Sequence, residues 1–315
     1  MAIQWLDTFI DIAPATLSSW EDKDLSSYIP ATASGVLVRV HNTDIYSGHI
    51  WGCRPKGSTD DPLLLSESDL INCPIGVDAN RVVQLYRNHT AIEMELVGYF
   101  ESRNATFFTN RLTRNPPSNE TWCDLDLSDD VGSDPAIGAL FIIDGTHNAD
   151  SCGLRMKGST DDRTARPFGS AGAIIGLDGN KICQNYRRGF DVQFYLVGYI
   201  KSGAYFYTNA VDYSLSTTGS WTSLPSPLPP DASGGFFEVL GAFEHYYGLR
   251  KKGSADTRTG EAHFHQWYCA ECDRAGGIEG YRSGTSIEFY LVGYALKESG
   301  FPAVHSGTIG SPLIF

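Results

Sequence analysis

The chain has 315 residues, enough for two or three domains of ordinary size (~100–150 residues each). With 42% hydrophobic and 19% charged residues it has the composition of a folded globular protein, not of a disordered tract. The net charge, 24 − 37 = −13, is spread along the chain without a basic stripe, so the clustered Lys and Arg that nucleic acid requires are missing.

The amino-terminal "MAIQWLDTFIDIAPATLSSW" lacks a basic leader and carries two Asp within its apolar part, so no secretion signal is expected. No run approaches the ~18–20 apolar residues of a membrane span. Without a signal, the sequons at Asn88, Asn104 and Asn119 are expected to carry no glycan.

Along the first hundred residues the signals come in a fixed order. A tryptophan, Trp20, precedes the β-rich run "GVLVRV" (35–40). Next come "WGCRPKGSTDD" (51–61), "GVDANRVVQLYR" (76–87) and "IEMELVGYF" (92–100). The second hundred repeats the order with Trp122, "IGALFII" (137–143), "CGLRMKGSTDD" (152–162), "GLDGNKICQNYR" (176–187) and "VQFYLVGYI" (192–200). The third does so with Trp221, "GGFFEVL" (234–240), "YGLRKKGSADT" (247–257), "ECDRAGGIEGYR" (271–282) and "IEFYLVGYA" (287–295). A period near one hundred is that of a small domain, too long for a solenoid repeat.

Inside each unit the signals are those of strands. Ile287, Phe289 and Leu291 alternate onto one face of "IEFYLVGY", the pattern of a central core strand. Gly98, Gly198 and Gly293 then mark a bulge or a close backbone approach. Asp78-Ala-Asn80 and Asp178-Gly-Asn180 read as hairpin turns. The expected fold is all-β, three tandem jelly-roll-like β-sandwich domains over 1–100, 101–200 and 201–298, with a tail over 299–315.

Seven cysteines fall at non-equivalent places in the repeats, which fits buried thiols and not a disulfide framework. His263, His265, Cys269 and Cys272 are chemically able to hold zinc, but on a strand Cys272 points away from the others, so no metal is expected there. The "GSTDD" loops lack the spacing of a calcium loop and read as turns in which Ser and Asp bond their own backbone. With no nucleophile elbow, metalloprotease helix motif or phosphate loop, neither an enzyme nor a cofactor is expected. The pairs Arg54/Lys56, Arg155/Lys157 and Arg250/Lys252 each project from one strand face. They read either as a repeated anion or sugar contact, or as Arg stacked on Tyr86, Tyr186 and Tyr281 and paired with an acid.

The pattern W-x-D-x-D-L-S…G-L-R-x-K-G-S-T-D-D-R…H-x-W…F-Y-L-V-G-Y resembles a β-sandwich repeat of uncharacterised tailed-bacteriophage virion proteins and related bacterial surface proteins. Its H-x-W element is matched only by His265 and Trp267. Leu70 and Asn72 stand there in the first copy, Ser170 and Gly172 in the second. The resemblance implies a non-enzymatic virion protein that docks on other virion proteins or on copies of itself. The alternative is an adhesin that gains avidity for host-surface glycans by linking three sites. Three similar domains are compatible with an imitation of a trimer or with a string of beads.

Finally, "AIQWLDTFI" (2–10), "NATFFTNRL" (104–112) and "AYFYTNAVD" (204–212) lie ahead of the three tryptophans and read as linking segments. The tail "FPAVHSGTIGSPLIF" (301–315) starts like a fourth. Its apolar end at Phe315 reads either as a segment folded back onto the third module or as one that docks on a neighbouring subunit.

Overall fold

The structure, a computed structural model, describes residues 1–298 apart from 45–48, 67–69, 146–149, 168, 243 and 263–264. The expectations for the tail, Phe315 and His263 therefore lie outside the described residues. Module 1 is built from β1 (Gln4–Asp11), β2 (Glu21–Asp24), β3 (Ala33–Asn42), β4 (His49–Pro55), β5 (Leu64–Ser66), β6 (Leu70–Gly76), β7 (Val82–Arg87) and β8 (Ile92–Glu101). These form two antiparallel sheets, β1-β8-β3-β6 and β2-β7-β4-β5. That wiring is the eight-stranded double Greek key of a jelly roll.

Module 2 contains β9 (Ala105–Thr113), β10 (Cys123–Asp126), the single helical turn α1 (Ser128–Val131), β11 (Gly138–Gly145), β12 (Cys152–Met156), β13 (Ser170–Gly176), β14 (Ile182–Arg187) and β15 (Val192–Ile200). Its sheets are β13-β11-β15-β9 and β10-β14-β12, with the counterpart of β5 reduced to a bridge between Cys152 and Ala165. Module 3 contains β16 (Ala204–Asp212), β17 (Thr222–Ser223), β18 (Ala232–Leu240), β19 (Tyr246–Lys251), β20 (Gly260–Glu261), β21 (His265–Glu271), β22 (Ile278–Arg282) and β23 (Glu288–Leu296). Its sheets, β16-β23-β18-β21 and β17-β22-β19-β20, repeat the order of module 1.

The "LVGY" phrase lies on β8, β15 and β23, each an interior strand flanked on both sides. Leu96, Leu196 and Leu291 are fully buried. The ladder skips Val97, Val197 and Val292, and the glycine that follows lies under a carbonyl of the edge strand. A Cβ on Gly98, Gly198 or Gly293 would stand 2.8, 2.4 or 2.6 Å from the oxygen of Gln4, Thr106 or Tyr205. The repeated glycine is thus the residue that lets β1, β9 and β16 pair there.

Two expectations need correction. The turns at Asp78 and Asp178 exist, with the carboxylate accepting from the N–H of Val82 at 2.7 Å and of Ile182 at 2.8 Å. They are not hairpins, because β6 and β7 belong to different sheets. The segments ahead of the tryptophans are not linkers either. They are β1, β9 and β16, the first edge strand of each sandwich, so three such segments serve three modules.

The sandwiches do not hang as beads. Strands β6, β13 and β21 pack against one another, so the β1-, β9- and β16-containing sheets of all three modules face a common centre. Each module touches both others, and the backbone N–H of Ala2 donates to the carbonyl of Gly203 at 2.8 Å where the ring closes. At the centre the equivalent positions carry Asn72, Gly172 and Trp267. A Cβ on Gly172 would sit 1.9 Å from the Asn72 carbonyl oxygen, while Trp267 is buried. Three identical large side chains would collide near such an axis. One chain can place one large, one medium and one absent side chain there.

Candidate functional site

The "GSTDD" loops hold the ring together. In each edge strand four residues loop out of register: 6–9 in β1, 108–111 in β9 and 207–210 in β16. This places Thr8, Asn110 and Asn209 in equivalent positions, each twelve residues before its tryptophan (20 − 8, 122 − 110, 221 − 209). The amide oxygen of Asn110 plugs the loop of module 1, accepting from Ser58 Oγ at 3.0 Å and Thr59 N at 2.9 Å. Asp60 of that loop accepts in return from Arg111 N at 2.6 Å. Asn209 does the same to the loop of module 2, accepting from Ser159 Oγ at 3.0 Å and Thr160 N at 2.8 Å, and Asp161 accepts from Ala210 N at 2.7 Å. Within each loop the serine hydroxyl also accepts from the aspartate N–H two residues on, the local turn expected from the sequence.

The third loop, "GSADT", has no such plug. Thr8 replaces the asparagine, Ala255 replaces the threonine, and β1 makes no packing against module 3 comparable to that of β9 and β16 on their neighbours. A cleft of about 540 Å³ opens between modules 3 and 1, lined among others by Trp5, Phe9, Asn72, Lys252, Ala255 and Tyr268. The N–H of Ala255, whose counterparts donate to the asparagines, has no acceptor among the described residues.

Charges bridge this joint instead. Arg39, only 3% exposed, donates to Glu95 at 3.0 Å and to Asp256 at 2.8 Å, while Arg258 pairs with Asp256 at 2.8 Å and reaches across to Glu95. The guanidinium of Arg39 lies 4.2 Å over the ring of Phe9. Burial alone would raise both carboxyls, but hydrogen bonds and charge from Arg258 and Arg39 outweigh it. Glu95 is held below the usual range and Asp256 at about 2.

The joint between modules 2 and 3 adds its own ion pair. Arg163 donates to Glu238 at 2.6 Å and lies 4.3 Å over Tyr290. His265 sits between Glu238, 2.8 Å from Nε2, and the Cys152 carbonyl, 3.0 Å from Nδ1. His265 and Trp267, expected as a candidate contact pair, stack at 4.1 Å inside this joint, where no external partner reaches them in the closed ring. Among the former zinc candidates, Cys269 and Cys272 are buried free thiols, both pushed up by burial, Cys272 to about 11.

The other candidates form one motif three times. Arg54, Arg155 and Arg250 lie 4.1, 4.1 and 4.2 Å over Trp20, Trp122 and Trp221, not over the tyrosines. Their Nε atoms donate to Gln84 and Gln184 at 2.8 Å and to Glu279 at 2.9 Å. Each also donates to the aspartate carbonyl of its own loop, so the arginine shapes the clasp. Lys56 pairs with Asp22 and Lys157 with Asp124. Ser223 replaces that carboxylate in module 3, and Lys252, with no ion-pair partner among the described residues, faces the cleft.

Sequence reasoning missed Arg39, Glu95, Glu238, Arg163 and Arg258. For Arg39, Glu95 and Glu238 the signal was a charge on a strand face where other copies carry Ile142, Tyr195 or Tyr290. For Arg163 and Arg258 it was an arginine in the loop where module 1 has Pro62. No family model, curated protein or solved structure matches the chain.

Proposed function

We propose that the protein is a non-enzymatic structural component of a virion, of the tailed-phage kind that its repeat resembles, acting by docking as a capsid decoration or a tail part. One observation carries this reading: a single chain closes three jelly rolls into a ring, the edge strand of the following module plugging the loop at two joints and an ion-pair cluster bridging the third. Jelly rolls serve capsids and lectins alike, so the fold alone does not decide. The ring adds an argument, because three near-equivalent outer faces suit a three-fold position of a symmetric shell. Proteomics of gradient-purified particles tests it. Stoichiometric presence in particles is expected, and presence only in the soluble lysate rejects the reading.

A second reading rests on the open clasp. Aromatic rings beside an unplugged donor and Lys252 suit a glycan hydroxyl or carboxylate. Such a lectin has one site per chain, at the joint of modules 3 and 1, and not three. Glycan binding that disappears in Phe9→Ala supports it; binding unaffected by that change does not.

A further inference from the structure

We propose a metal site in module 1, formed by Asp44, His49 and His89, for a divalent transition ion of the zinc class. One ligand atom from each of the three side chains lies within 4.8 Å of the other two. His49 Nε2 is 3.1 Å from Asp44 Oδ2, and the two imidazoles are stacked at 4.1 Å with planes 6° apart. Nδ1 of His89 accepts from Ala91 N at 3.2 Å, which leaves its Nε2 free to bind an ion.

Comparison with the other modules sets this cluster apart. Gly189 and Gly284 stand where module 1 has His89, and Asp150 and His245 stand where it has His49. A Cβ on Gly189 would lie 1.8 Å from the Asp150 carboxylate, and one on Gly284 would lie 2.3 Å from the His245 ring. The first partner packs onto glycine in two modules. In module 1, His89 stands there instead and stacks a second imidazole on the first.

Two imidazole nitrogens and a carboxylate oxygen suit Zn²⁺, Co²⁺, Ni²⁺ or Cu²⁺ and leave a position open to water. Metal–ligand bonds of about 2.0–2.2 Å in a tetrahedron separate ligand atoms by roughly 3.3 Å. Because the lone pairs lie in the ring planes, binding turns one imidazole out of the stack about its Cβ–Cγ bond, a soft torsion, and closes the ligand atoms by on the order of 1 Å. The ion would tie Asp44 and the start of β4 to the β7–β8 turn.

The test uses the full chain and ZnCl₂. Calorimetry should find one ion per chain, with a raised melting temperature. Co²⁺ should give the visible bands of a low-coordinate nitrogen–oxygen site, without the strong charge-transfer bands of thiolate ligation. His89→Gly, the residue modules 2 and 3 carry there, keeps the fold and should weaken binding at least tenfold. Asp44→Asn should weaken it as well, whereas His245→Ala should leave it unchanged. No binding by the wild-type chain, binding equal in His89→Gly, or thiolate bands with Co²⁺ would each overturn the proposal.

Discussion

At the joints between modules 1 and 2 and between modules 2 and 3, an asparagine amide plugs the loop of the preceding sandwich. At the joint between modules 3 and 1 a threonine stands there, and ion pairs beside a cleft hold the modules instead. The asparagine hydrogen bonds of the closed joints are neutral and do not depend on salt or acid, whereas their carboxylate contacts, Asp60 on Arg111 N and Arg163 with Glu238, are additions to that clasp. A charge cluster depends on every member, because a buried ion without its partner is costly. The ring therefore has two clasped joints and one held by charge, and the charged joint is expected to open first.

The largest test removes the hub of that third joint. Arg39→Ala leaves Glu95 and Asp256 with Arg258 alone and should cost about 3–5 kcal/mol, with the loss of joint 3–1 visible as faster amide exchange in β1. An unchanged unfolding midpoint would mean that the cluster does not hold the ring. At a closed joint, Asn209→Ala strands the donors Thr160 N and Ser159 Oγ and should cost about 1–3 kcal/mol. Thr8→Ala at the equivalent place should cost less than about 0.5 kcal/mol, and equal losses at the two positions would abolish the distinction.

Acid sharpens the comparison further. The Asp256 carboxyl titrates at about 2 in the folded chain and near ~3.9 when unfolded. Because the folded value is depressed, its stabilisation is complete above the unfolded value and is lost as pH falls through about 2. Glu95 is shifted in the same direction. Hydrogen exchange in β1 should therefore rise ahead of that in β9 between about pH 4 and pH 2. Simultaneous release would show that charge is not what differs between the joints. The one expected gain is modest: Thr8→Asn supplies the missing amide to the third loop and should stabilise by about 0.5–1.5 kcal/mol, with the Ala255 amide becoming protected from exchange.

The strands, the repeat and the buried "LVGY" face were legible in the sequence, because period-two alternation and the glycine at a close approach are local constraints. Leu291 and Gly293 declare themselves within nine residues. The arginine pairs were legible as a repeated feature, but their partners were not, since Trp20 and Arg54 meet only when β2 and β4 flank β7. The edge strands show why alignment by residue type runs out. Matching Thr8 with Thr109 and Thr208 is off by one, and only the four-residue looped-out segment reveals Asn110 and Asn209 as the true equivalents.

Above all, the divergence among Leu70, Asn72, Ser170, Gly172, His265 and Trp267 is not variation of an outer surface, since these residues are buried. It is variation for one another. Residues up to about two hundred positions apart share the centre of the ring, as when Asn72 accepts from Cys269 N at 2.7 Å. By itself the sequence determined three jelly rolls of one design, because each closes on contacts within its own hundred residues. Only the tertiary structure decided that they form a ring with one open clasp. That outcome depends on which volumes and charges from different copies come to face each other, and no local pattern records such pairings.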